Sequence, residues 1–255
     1  MPDPGALELA LLALAGVVAG AVNAIAGGGS LVSFPVLVAI GYSPLVANVT
    51  NAVAVLPGYV TGSVTYRHEL GGQRSRAIGL AATCGVGALA GAALLLVSPP
   101  RLFERLAPLL VLSAVALLAA QPWLTRRVGA GAEAGAGPRS PRLHLLAFLA
   151  SVYGGYFSVG GGLVMIAVLA LAIQDDLGRL NALKGLLSLL ICLVSAAYLA
   201  LLGPVAWTAA AAVAVGNGVG SPGGVVLARR MGVRTLRLVV VAIGLGVSAW
   251  LFVQL

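Results

Sequence analysis

The chain has 255 residues, of which 60% are hydrophobic and 9% charged, with a mean hydropathy of +1.06 and a formal charge of +8. A soluble domain carries about a quarter of its residues as Asp, Glu, Lys or Arg, so a water-soluble globule is excluded in favour of helices that need about 20 apolar residues to cross a bilayer. The basic balance does not indicate nucleic acid, because the arginines sit in short clusters between apolar segments, where they set topology and meet anionic lipid head groups.

The first apolar stretch runs from Ala6 to Ala26. It ends in small residues as a secretion signal does, but carries Asp3 and Glu8 where such a signal has basic residues, so it is expected to stay in the mature protein. Gly27, Gly28 and Gly29 then break the run. The piece that follows, Ser30 to Ile40, gives only about 16 Å of helix, roughly half a bilayer. Three longer segments come next, near Pro44–Tyr66, Ala77–Val97 and Leu102–Leu118.

The second half repeats the order: Leu143–Val159, a glycine break, Leu163–Ile173, then Leu180–Leu202, Val205–Ala228 and Leu236–Val253. The repetition holds residue by residue at a constant offset of 133: Gly27, Gly28 and Gly29 fall on Gly160, Gly161 and Gly162, Asn48 on Asn181, Gly85, Gly87 and Gly91 on Gly218, Gly220 and Gly224, and Arg101 on Arg234. Such a duplication in a membrane protein points first to a transporter with its site between the halves. The expected division is repeat 1 over residues 6–122, a Gly/Ala-rich cytoplasmic linker over 123–142, and repeat 2 over 143–254.

Arginine placement bears on how the halves are oriented. Arg67, Arg74 and Arg76 follow the third segment of the first half, whereas the matching turn Leu202-Gly203-Pro204 is uncharged; the next turn carries Arg101 and Arg105 with Glu104 in the first half against Arg229, Arg230, Arg234 and Arg237 in the second. Equivalent turns therefore belong on opposite faces. The expected fold is all-α, a polytopic bundle of two inverted repeats, each with a glycine-broken, half-length helix pair and three spanning helices. Eight simple spans in parallel halves are the alternative.

Candidate site residues cluster at the breaks. Three consecutive glycines bare their N–H groups, and the helix that follows points its positive end at the break, an environment that suits an anion. The competing reading is close helix crossing. Beside the breaks lie Asn48, Thr50 and Asn51 in one half and Asn181 and Lys184 in the other. Lys184, the register partner of Asn51, is the only lysine; it stands in an apolar segment, either as counter-charge to an anionic substrate, or snorkelling to the surface, or paired with Asp175 or Asp176. Asn23, Ser30, Tyr156 and Ser158 are further hydrogen-bonding candidates, Asn217 and Ser221 weaker ones. Pro35, Pro57 and Pro222 are expected to kink helices. Cys84 and Cys192 read as small core residues.

No Asp or Glu lies in the middle of an apolar segment to relay protons, and nucleotide, nucleophile and metal motifs are missing, so an enzyme, a cofactor and a metal are not expected.

The run Gly20-Ala-Val-Asn23-Ala-Ile-Ala-Gly27-Gly-Gly-Ser30-Leu-Val-Ser-Phe-Pro35, followed by Ala47-Asn48-Val-Thr50-Asn51, resembles the N-terminal signature of the sulfite exporter TauE/SafE family. Gly154-Gly155-Tyr156-Phe157-Ser158-Val-Gly160-Gly-Gly162, followed by Asn181-Ala-Leu-Lys184, resembles its second signature, though with Tyr-Gly-Gly-Tyr-Phe-Ser in place of an amide-bearing copy of the first. The resemblance implies a multi-pass carrier of the bacterial inner membrane that exports a small sulfur-containing anion: sulfite, or a sulfonate such as sulfoacetate or sulfolactate. The combined expectation is alternating access around a site between the halves. Gly27 to Ser30 and Gly160 to Gly162 would supply backbone donors, Asn48, Asn51 and Asn181 side-chain donors, and Lys184 the charge. An anion channel and a membrane assembly factor without flux are the alternatives, and the sequence leaves a homodimer open.

Overall fold

The structure, a computed structural model, describes residues 3–25, 27–65, 70–126, 140–173, 175, 177–231 and 233–253. Those residues form helices without strands, in the order α1 (Ala6–Ile25), α2 (Ser30–Ala39), α3 (Pro44–Ala54), α4 (Leu56–Thr65), α5 (Arg74–Val97), α6 (Pro100–Arg126), α7 (Pro141–Tyr156), α8 (Gly161–Ala172), α9 (Leu177–Leu202), α10 (Trp207–Met231) and α11 (Val233–Val253). Five spans are long and apolar enough to cross a membrane: α1, the α3–α4 pair, α5, α6 and α9. With 25 and 21 residues, α10 and α11 have the length as well. Helices α2 and α8, of 10 and 12 residues, reach only about half-way.

Local sequence sets the ends. Ser43 caps α3, its Oγ accepting from Val46 N, with Pro44 in the first turn, where a missing N–H costs nothing. Ser98-Pro99-Pro100 separates α5 from α6, and Gly203-Pro204 separates α9 from α10. Between α3 and α4 the chain breaks at Val55, whereas its register counterpart α9 runs unbroken. Pro57 explains the difference: its ring removes one N–H and crowds the turn before it, and the equivalent residue in α9 is Leu190. Pro35 and Pro222 stay inside α2 and α10. α6 extends through Pro122 to Arg126, four residues into the segment expected as linker; 127–139 lie outside the described residues, as does Arg67.

The bundle is inside-out relative to a soluble protein. Leu14, Val64, Ile78, Val86, Leu145 and Val215 are exposed, as a lipid-facing surface requires, while Asn23, Ser33, Asn48, Thr50, Asn51 and Lys184 are buried.

The halves interlock. α1 packs on α10 and, at the equivalent place, α7 packs on α5. Both contacts are close backbone crossings: a side chain at Gly16 or Gly20 would collide with the main chain of α10, and one at Gly216 or Gly220 with that of α1. The partners run parallel, since Gly16 meets Val213 and Gly20 meets Asn217, while Gly87 meets Phe148 and Gly91 meets Val152. In contrast, α3–α4 runs antiparallel to its own counterpart α9: the Cys192 thiol donates to Ala52 O, and Ser63 Oγ to Gly185 O. α6 and α11 also cross antiparallel, with Gly244 against Val115 and Ser248 Oγ donating to Pro108 O. Arg76 at the start of α5 pairs with Asp175 just before α9 at 2.8 Å, so these two helices begin at one face.

The α1–α10 crossing yields a stability test. Gly20→Val forces a branched side chain into the backbone of α10 and should lower the melting temperature of the purified protein, by an overpacking cost of about 1–3 kcal/mol or more. Gly85→Ala, where an added Cβ meets nothing within 4 Å, should leave it unchanged or raised.

Candidate functional site

The two glycine breaks meet. Gly27 and Gly160, register partners, both take left-handed backbone, with φ of +79° and +78°. This conformation suits glycine because it has no Cβ. It turns the chain out of α1 and α7 and brings Gly27 against Gly162: a Cβ on Gly162 would lie 2.9 Å from Gly27 O. Against the same point lies Lys184, whose Nζ is 3.2 Å from where a Cβ on Gly27 would be.

Lys184 does not snorkel. It is 4% exposed, and no ion pair or hydrogen bond to it occurs among the described residues. Asp175, one of the carboxylates expected to neutralise it, is held instead by Arg76 at 2.8 Å and Arg179 at 3.2 Å; Asp176 lies outside the described residues. The ammonium lines a cavity with Asn23, Tyr59, Ser63, Asn181 and Gly185. This Lys184 cavity has room for about one or two water molecules. Asn23 turns its Oδ1 to the backbone, accepting from Gly29 N at 2.9 Å, and its buried Nδ2 has no partner among the described residues.

A second cavity of similar size is also lined by Tyr59, together with Ser158, Gly161, Gly162, Ser188 and Cys192. The cavities are related by the repeat: Gly58, Tyr59, Gly62 and Gly185 line one, and their partners Ile191, Cys192, Ser195 and Ala52 line the other.

The asparagines differ in role. Asn48 grips the strand-like end of α7: its Nδ2 donates to Tyr156 O at 3.0 Å, and its Oδ1 accepts from Ser158 N at 2.9 Å and Ser158 Oγ at 3.0 Å. Asn51 extends the network, Nδ2 donating to Ser158 Oγ at 2.9 Å and Oδ1 accepting from Ser33 Oγ at 2.5 Å. These bonds accompany unwinding: α7 stops at Tyr156 and Phe157 is extended, whereas the equivalent residues of α1 stay helical to Ile25. Asn181, the partner of Asn48, makes no such bond among the described residues and faces the Lys184 cavity. The polar latch is closed at one break and open at the other.

Several expected residues stand apart. Thr50 Oγ1 accepts from Ala206 N at 3.0 Å and so caps α10. Tyr156 packs its ring on Phe103 and offers only its carbonyl. Gly28 lies against Leu163, and Gly29 against Ala19. Ser30 is buried, its Oγ without a partner among the described residues. Asn217 is buried against Gly58, and Ser221 Oγ donates to Gly58 O. The structure adds Tyr59, Ser63, Ser188 and Cys192. Most of the α9 wall was readable as one stripe, because Asn181, Lys184, Gly185, Ser188, Cys192 and Ser195 recur at three- and four-residue spacing.

A bundle of apolar-faced, membrane-length helices around buried polar groups, with two half-length helices whose glycine breaks meet, defines a multi-pass membrane protein. The family model described as Sulfite exporter TauE/SafE matches residues 12–251. The chain belongs to that family, a family of membrane transporters for sulfur-containing anions. No curated protein and no solved structure matches the chain.

The unequal latches predict unequal mutants. Asn48→Ala strands a buried N–H and a carbonyl, each costing about 1–3 kcal/mol, and should lower the melting temperature by several degrees. Asn181→Ala should change it little. Equal losses would mean that Asn181 is latched as well.

Proposed function

We propose that the protein exports a small sulfur-containing anion, sulfite or a sulfonate such as sulfoacetate, by alternating access, and that the substrate binds between the repeats at Lys184. The observation that carries this reading is a buried ammonium with no carboxylate partner among the described residues, facing a cavity where the two breaks touch. Such a charge in a membrane span costs several kcal/mol unless water or a substrate meets it, and in a family of sulfur-anion carriers the fitting counter-charge is the substrate's own. Asn181 and the Asn23 amide, which line the same cavity, would donate to its oxygens, with Tyr59 as a further donor.

The opposite running directions of α3–α4 and α9, and of α6 and α11, support inverted repeats over 6–122 and 143–254. With α5, α7 and α9 beginning at one face, Arg74, Arg76, Arg142 and Arg179 lie there, and under the positive-inside rule this supports a cytoplasmic orientation of that face, in keeping with the proposed bacterial inner membrane. Lys184 lies about 10 Å along α9 from that face. Alternating access is supported by the unequal latches. In the other state Asn181 would grip an unwound end of α1 as Asn48 grips α7, while Asn48 lets go.

Counterflow in proteoliposomes tests the function. Vesicles loaded with sulfite or sulfoacetate should accumulate the labelled anion, with chloride and sulfate as controls. Lys184→Ala should reduce counterflow at least about ten-fold, the loss of a charge-assisted hydrogen bond, and Arg179→Ala much less. Equal effects would remove Lys184 from the site. Conductance without counterflow would make the protein a channel.

A further inference from the structure

The geometry points to a second anion station, the Ser188 cavity, which takes the substrate after it leaves Lys184 and passes it towards the outer face. This rests on the transport reading and adds a site that the charged residue alone does not suggest.

Ser188 is 4% exposed, and its Oγ has no partner among the described residues although it borders the cavity. A hydroxyl left without a partner at this depth is costly unless something occupies the space before it. The same cavity receives the first residues of α8, Gly161 and Gly162, whose N–H groups open a helix of 12 residues. At this end of a helix the first N–H groups have no partner within it and the dipole favours negative charge. Tyr59 lines both cavities and bridges them. The lining residues bring a free hydroxyl and helix N–H groups to one cavity without a carboxylate or a cation, and the ligand this chemistry fits is a small oxyanion of low charge, held by hydrogen bonds alone.

Position makes the cavity a station. Ser188 follows Lys184 by one helical turn, about 6 Å further along α9 from the arginine-rich face and close to the middle of the helix. The repeat relates the two cavities, but the duplication put a lysine in one and left its partner Asn51 hydrogen-bonded to Ser33 and Ser158 beside the other. One station therefore binds by charge. The other binds weakly by dipoles, a combination that lets an anion enter and also leave.

The test is the stoichiometry of labelled sulfite and labelled sulfoacetate binding to the full-length protein in nanodiscs. Two sites per chain are expected, one of them weaker. Ser188→Val, which installs the residue found at the register partner Val55, should weaken the second site at least about ten-fold and slow counterflow while leaving the first unchanged. Gly161→Ala brings a methyl group to the same cavity, within 3.2 Å of Gly154, and should act in the same direction. Lys184→Ala should remove the tight site and leave the weak one. A single site, abolished by Lys184→Ala and indifferent to both other variants, would overturn the second station while leaving the transport reading intact. No binding of either anion to the wild-type protein would overturn both.

Discussion

The centre of this protein depends on the approach of two backbones, Gly27 and Gly162, inside a membrane-length bundle. The approach requires that neither residue carry a side chain and that Gly27 turn into the left-handed region. It gathers what lipid tolerates least: irregular main chain from both repeats and an ammonium beside it. Non-helical backbone is stable at that depth only where protein or a cavity covers it. The exposed Leu, Ile and Val of the long helices supply the cover, so the apolar exterior and the polar interior follow from one constraint.

The two repeats satisfy that constraint differently. In the first, Asn23 reaches along its own chain to Gly29 N. In the second, Asn48 of the other repeat holds Tyr156 O and Ser158 N, and Phe157 between them is fixed by edge contacts with Phe34 at 5.7 Å and Tyr153 at 6.1 Å. One break is thus held within its repeat and the other across the interface. In the transport reading, the alternate state would exchange these grips, at the cost of a few hydrogen bonds on each side.

Much of this was legible in the sequence because glycines, amides and a lysine are conspicuous in an apolar chain. The register of the repeat, the breaks, the half-length helices and the proximity of Lys184 to a break all rest on such residues. The roles of Thr50 and Tyr156 were not legible. Both lie within a few residues of site positions, but which way a side chain points around a helix depends on what packs there. Thr50 points to the start of α10, and Tyr156 to Phe103. Tyr59 was missed for the opposite reason: it looked like one more aromatic residue until the break after α3, ahead of Pro57, turned α4 to set it between the cavities.

The isolation of Lys184 also bears on the transport cycle. Asp175 would have been the nearest described means of balancing it, but two arginines hold that carboxylate near the face, and Gln73 Nε2 donates to Arg179 O in the same cluster. In the transport reading, a monoanion such as hydrogen sulfite leaves the loaded site close to neutral, whereas the empty site carries an uncompensated ammonium. Reorientation moves that site through the part of the membrane where charge costs most. The loaded carrier crosses this barrier more easily than the empty one, so exchange of one anion for another runs faster than net export. The lone lysine that selects an anion thereby also favours the return of the carrier with another anion aboard.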